Sequence, residues 1–271
     1  KLEVHFLNVG AVITKFIDLE TGINIIVGHD NYEVYAQDNP GYMNAVIGRN
    51  AGRIVDFNLD GKDYQVTKNI QGLYQLHGGF QGFNKKVNNV ETFANGIKFS
   101  TFSADGEEGY PGNVNFSITY LLNNDQLELL YEATTDQKTI MSFTHHAYFN
   151  LDGKPGATIL NHELQINADR YFALDSNMLP LQAVSVEDTP LDFRVSKEIG
   201  KDMNANFEQL KITRGFDHPF LVKKESDFNK VATLKSKESN LILDVFSTED
   251  VLVFYAGNSI TPEMTLNGGV K

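Results

Sequence analysis

Residues 113 to 122 read Asn-Val-Asn-Phe-Ser-Ile-Thr-Tyr-Leu-Leu, which puts Val114, Phe116, Ile118, Tyr120 and Leu122 on one face and mostly polar residues on the other. A period of two with one apolar face is the mark of a half-buried strand. The polar turn Asn123-Asn124-Asp125 follows, and then Leu127, Leu129, Tyr131 and Ala133 alternate with Glu128, Glu132 and Thr134. The pair predicts an antiparallel hairpin. The same device recurs on either side. Asp60-Gly61 separates the alternating 54–59 from 64–66, and Asn95-Gly96 separates 90–93 from 97–102. Both dipeptides favour tight turns because their residues tolerate positive φ. Further strands are predicted at 4–9, 12–17, 23–27, 163–168, 231–236, 240–247 and 251–256. Only 195–210 offers a short helix, interrupted by Gly200. So many strands predict an all-β protein, a large antiparallel β-sandwich. With no linker, low-complexity run or internal repeat, residues 1–271 read as a single domain.

Composition narrows the function. The chain has 271 residues, no cysteine, and 23 Lys+Arg against 35 Asp+Glu, a net charge of −12. Nucleic-acid affinity comes mostly from Lys and Arg displacing counterions, so such a surface excludes a nucleic-acid partner. Apolar runs as short as Val251 to Tyr255 fall far below the roughly 20 residues that span a bilayer. Zero cysteines remove disulfides, thiolate nucleophiles and thiolate metal sites, and fit a cytoplasmic location.

Chemistry is left to seven histidines, a few arginines and the carboxylates. No His-Glu-x-x-His or His-x-His spacing occurs, and the neighbours His145 and His146 point to opposite faces of a strand, so no metal site is expected. No Gly-x-Ser-x-Gly elbow or phosphate-cradling glycine loop occurs either, and no cofactor is expected. Several dense polar-aromatic segments remain: Gly48-Arg49-Asn50-Ala51-Gly52-Arg53-Ile54, Leu76-His77-Gly78-Gly79, Asp105 to Asn113, His145 to Leu151 and Gly215-Phe216-Asp217-His218-Pro219-Phe220. Thr144, His146, Tyr148 and Asn150 alternate to form a polar-aromatic face that suits a sugar, with hydroxyls at its edge and C–H groups on its faces. Alone, His146 could equally satisfy a buried hydrogen bond.

These segments resemble the aldose 1-epimerase family, the galactose mutarotases. Gly48 to Ile54 resembles the family's Gly-Arg-x-x-x-Arg-Ile, Leu76 to Gly79 its Leu-His-Gly-Gly, and His146 to Leu151 its His-x-Tyr-Phe-Asn-Leu. Asp105 to Asn113, Thr189 to Arg194, Gly215 to His218 and Phe254-Tyr255-Ala256-Gly257-Asn258 continue the likeness in order along the whole chain. The resemblance implies a β-sandwich of the galactose mutarotase type, acting without a cofactor on a monosaccharide, as a monomer or homodimer. It implies interconversion of the anomers of free galactose or glucose by acid–base ring opening. A proton must reach the ring oxygen while another leaves the anomeric hydroxyl, so an acid and a base are needed on different sides of the sugar. The resemblance gives the acid role to His146, whose side chain has an unperturbed pKa of roughly 6.5. His77 would hydrogen-bond near the ring oxygen, and Arg53 and Asp217 would hold sugar hydroxyls. As simple structural residues, Arg53 could instead be an ion-pair partner, Asp217 a turn cap and His77 an anchor for its glycine loop.

The likeness has departures. Gly52 and Val253 stand where the family usually has asparagine and glutamine, and His145 where asparagine is common. The family's base is a glutamate in a Leu-Glu-x-Gln segment after Phe-Tyr-x-Gly-Asn. None of the 13 residues after Asn258 gives that segment, and Glu263 is their sole carboxylate. Pro262 argues against a central strand there. The catalytic strand is therefore expected beyond residue 271. A carbohydrate-binding homologue without turnover is the alternative. A phosphorylated hexose is disfavoured by the −12 charge.

Overall fold

The structure, a computed structural model, describes residues 1–154, 156–261 and 264–267. It comprises two compact units, one of residues 1–149 with 262–271 and one of residues 150–261. The protein is all-β, as expected, and its strand ladders are antiparallel.

In the first unit the predicted hairpin forms one side of a four-stranded sheet. Its order is Gln126–Thr135, Val114–Asn123, Gly96–Ser103 and Asn89–Phe93. The apolar face read from the alternation is the buried one: Val114, Phe116, Ile118 and Tyr120 are each at most 3 % exposed. Against it lies the sheet of Leu2–Phe6, Ile13–Asp18 and Ile23–Asn24. Phe6 brings its ring to 4.6 Å from Tyr120 and 5.7 Å from Phe99, and the Tyr120 hydroxyl donates to the Ala11 carbonyl at 3.0 Å. Burying side chains of this size contributes about 1.5–3 kcal/mol each.

In the second unit Glu163–Ile166, Lys197–Glu198, Asn229–Lys235 and Ile242–Ser247 form one sheet. Ala168–Leu174, Pro180–Ser185, Asp217–Val222 and Val251–Tyr255 form another. Ile166, Tyr171, Phe193, Phe216 and Phe220 share the core between them.

Some local expectations are corrected. Residues 195–210 are not a helix: 197–198 is a strand, Ile199–Lys201 a 3-10 turn, and the helix is Glu208–Thr213. Gly200 is pressed against the Leu160 carbonyl, which ties this stretch to the preceding loop. A second helix, Tyr32–Gln37, is capped by the Asn31 side chain accepting from the Glu33 N–H. Asp60 and Gly61 do take left-handed φ, of 52° and 83°. The other hairpin turns one residue early, at Ala94-Asn95, and Gly96 opens the strand because the Phe93 ring and the Tyr120 carbonyl leave no room for a Cβ. Among the described residues no helix is long and apolar enough to cross a membrane.

Candidate active site

The segment Gly48–Ile54 splits its two arginines between different tasks. Arg49 is 2 % exposed. Its guanidinium donates to Ser103 Oγ and to the carbonyls of Ser103, Ala104, Pro111 and Gly112 at 2.7–2.9 Å, so it pins the loop 103–112. Arg53 instead stays half-buried on Arg53–Ile54, which pairs with Gln75–Leu76, and its guanidinium lies over the Tyr74 ring at 5.8 Å. That short ladder carries the chain directly into His77.

Residues 76–79 form a tight loop. His77 has φ of 53° and Gly78 of 83°. A Cβ on Gly78 would fall 1.9 Å from the Gly48 carbonyl oxygen, so the two motifs meet backbone to backbone and glycine is obligatory there. Asn69 clamps the loop from outside: its Nδ2 donates to the Leu76 and Gly79 carbonyls at 3.1 and 3.2 Å, and its Oδ1 accepts from the Leu76 N–H at 2.8 Å. The Glu108 carboxylate accepts from the Phe80 and Gln81 N–H groups at 3.2 and 2.7 Å, and from the Thr67 hydroxyl. The expected segment Asp105 to Asn113 thus serves the histidine loop.

The His77 ring is fixed by its own backbone neighbour. His77 N–H donates to the Gly52 carbonyl at 3.0 Å, and Gly52 N–H donates to His77 Nδ1 at 3.1 Å. An accepting Nδ1 cannot carry the proton of a neutral ring, which assigns that proton to Nε2. Burial, then the neighbouring His146 and Arg53, hold the ring well below the usual histidine range.

His146 follows Thr144–His145, which pairs with Val46–Ile47. Its N–H donates to the Ala45 carbonyl at 2.8 Å and its carbonyl accepts from Asn44 at 2.9 Å. As alternation predicts, the two histidines part. His145 turns its ring toward Tyr120 at 5.9 Å, whereas His146 stands edge-on to His77 with ring centroids 5.1 Å apart and an interplanar angle of 84°. His77 and His146 are half-buried residues. Desolvation pushes the His146 pKa down to about 4 and that of His145 to about 3. His146 is therefore a neutral imidazole at pH 7.

Tyr42 and Tyr148 complete this wall. Tyr148 lies 5.2 Å from His146, and its hydroxyl donates to the Gly41 carbonyl at 2.9 Å. Tyr42 touches both histidines, at 4.7 and 6.3 Å. Neither Tyr42 nor Asn69 stands out in the sequence. Beside His77, the position of a Cβ on Gly52 meets nothing within 4 Å.

Asp217 belongs to the other unit. It opens the strand Asp217–Val222 opposite Tyr255, and its N–H donates to His218 Nδ1 at 3.2 Å. The turn before it is held by Asn258, whose Nδ2 donates to the Thr213 and Phe216 carbonyls at 3.2 and 2.9 Å. His218 is fully buried, and that burial pushes it down to about 4. Asp192 and Arg194 form a bidentate pair at 2.9 and 2.7 Å. Glu263 lies outside the described residues. No group of three or more potential metal ligands occurs among the described residues.

The chain has matches among protein-family models, curated proteins and solved structures. The family model for aldose 1-epimerase matches residues 1–269. Galactose mutarotase from Rattus norvegicus is 37 % identical over 248 residues, covering 90 % of this chain and 70 % of that protein. Aldose 1-epimerase from Escherichia coli is 37 % identical over 242 residues, covering 86 % of this chain and 68 % of that protein. Among solved structures, an aldose epimerase homologue from C. elegans matches with a TM-score of 0.88 at 27 % identity, covering 99 % of this chain and 82 % of that one. Galactose 1-epimerase from Lactobacillus acidophilus matches with a TM-score of 0.81 at 30 % identity, covering 95 % and 76 %. A family match along nearly the whole chain, with the family's histidine segments meeting at one wall, leaves one assignment: the chain belongs to the aldose 1-epimerase family.

Proposed function

We propose that the protein is a mutarotase that interconverts the α and β anomers of a free aldohexose, galactose or glucose, by ring opening and reclosure. The observation that carries this reading is the edge-on pair of imidazoles of the half-buried His77 and His146, beside Arg53. Mutarotation moves one proton off the anomeric hydroxyl and one onto the ring oxygen, with no net change in the sugar's protons. His77, neutral with its proton on Nε2, donates a hydrogen bond to the ring oxygen and stabilises the negative charge that grows there as the C–O bond breaks. His146 supplies the proton. Its ring is neutral in the free protein because it is desolvated, so it takes a proton from water as the sugar binds and passes it to the ring oxygen as the C–O bond breaks, while the proton of the anomeric hydroxyl leaves to water. On reclosure the same ring takes that proton back. Arg53 offers fixed donors to sugar hydroxyls. A cytoplasmic setting without a nucleic-acid partner is what zero cysteines and a charge of −12 favour.

Polarimetry on freshly dissolved α-galactose and α-glucose tests the reading. The first-order decay of optical rotation should quicken in proportion to protein concentration. Decay at the buffer rate for both sugars, with galactose bound, would make the protein a carbohydrate-binding homologue instead.

A further inference from the structure

Tyr42 occupies a backbone conformation that a bulky residue rarely adopts, with φ of 56°. It sits within Asn39-Pro40-Gly41-Tyr42-Met43-Asn44, where Asn39 and Asn44 are also left-handed, at 46° and 54°. Strain of this kind persists only where its surroundings over-determine it, and here they do. Asn39 Nδ2 donates to the Met43 carbonyl at 3.1 Å and Tyr42 N–H to the Asn39 carbonyl at 2.9 Å. The Tyr148 hydroxyl holds Gly41, and the Asn44 side chain donates to the Val27 carbonyl at 2.7 Å while accepting from Tyr148 N–H at 2.9 Å. The effect of all this scaffolding is to press one ring against two histidines. Tyr42 meets His77 in a T-shape at 4.7 Å and 70°, and His146 at 6.3 Å and 37°. Its hydroxyl accepts from Asn69 Nδ2 at 3.4 Å, the same amide that clamps the His77 loop.

We propose that Tyr42 is a positioning residue of the histidine pair, its ring holding the angle between the imidazoles that the Gly52 hydrogen bond to His77 Nδ1 alone leaves free to tilt, and its left-handed backbone holding that ring in place. The inference rests on the assignment of His77 and His146 as the proton-transfer pair. Aromatic edge contacts constrain ring orientation, and proton transfer needs heavy atoms within hydrogen-bond reach of the reacting oxygen, so a freed imidazole loses rate more than affinity.

The test is a series at this one position, read by steady-state polarimetry on α-galactose and by long-range ¹H–¹⁵N spectra of the histidine rings. Tyr42→Leu should lower kcat by about 10- to 100-fold with KM within about threefold, and should give His77 a mixed tautomer. Tyr42→Phe, which keeps the ring, should restore kcat to within about threefold of wild type and the single Nε2–H tautomer. If Tyr42→Leu does not fold, Tyr42→Asn carries the same expectation, because asparagine tolerates left-handed φ. A raised KM with kcat unchanged would make Tyr42 a sugar-binding residue and overturn the proposal. So would wild-type kcat and histidine spectra in Tyr42→Leu, or an equal loss in Tyr42→Phe. Wild-type protein that fails to accelerate mutarotation overturns the functional assignment itself, whereas the ring spectra report on positioning with or without activity.

Discussion

The His146→Ala variant is expected to lose mutarotation by about 10²- to 10⁴-fold, the range in which a single acid–base group contributes, while binding galactose with an affinity within a few-fold of wild type. Position 146 is held through its backbone, by the Ala45 carbonyl and the Asn44 N–H, so truncating the ring leaves the strand and the neighbouring His77 loop in place. Arg53 is the group proposed above to meet the sugar hydroxyls. Polarimetry gives the rate and calorimetric titration with galactose gives the affinity. A variant with an unchanged rate constant would remove His146 from the acid role, and one that no longer binds sugar would make it a binding residue.

Arg49→Met should cost about 3–5 kcal/mol of stability, although Arg49 touches no site residue identified above. Four buried acceptors and the part-buried Ala104 carbonyl lose their donor at once, and methionine fills the volume without replacing a single hydrogen bond. The loop so released carries Glu107, paired to Lys86 at 2.5 Å, and Glu108, which caps residues 80 and 81 just after the His77 loop. Urea unfolding measures the loss. Arg53→Met, at a half-exposed position, should change stability by no more than about 1 kcal/mol and act on sugar binding instead. A loss below about 1 kcal/mol in Arg49→Met would refute the division of labour between the two arginines.

Much of the fold is legible because alternation survives where one face of a sheet is buried along its whole length, as it is at Val114–Asn123. It fails where the ladder is irregular. Ala168–Leu174 pairs with both neighbours through register shifts, at Ala168/Arg170 and Phe172/Leu174, and each bulge breaks the period. Asp217–Val222 hides behind Pro219, a residue that argues against a central strand, yet it is paired on both sides. The helix Tyr32–Gln37 spans six residues, too few for helical periodicity to emerge. At the site, His77, His146 and Arg53 are visible through their motifs. What the motifs do not separate is a buried structural arginine from an accessible one four residues later, since burial is a tertiary property. Nor do they expose Tyr42, whose role depends on a left-handed φ inside what reads as an ordinary Pro-Gly turn. The histidine pKa values escape for the same reason. Desolvation by distant segments lowers them, and no local residue announces it.

The central claim, that proton transfer begins from a neutral histidine pair with His77 presenting Nε2–H, is tested most directly by long-range ¹H–¹⁵N spectroscopy of the free protein between pH 8 and 5. With His77 held well below the usual histidine range and His146 near 4, neither ring should gain a second proton in that window, and His77 should carry its proton on Nε2 throughout. Protonation of either ring above pH 6, or a His77 proton on Nδ1, would contradict it.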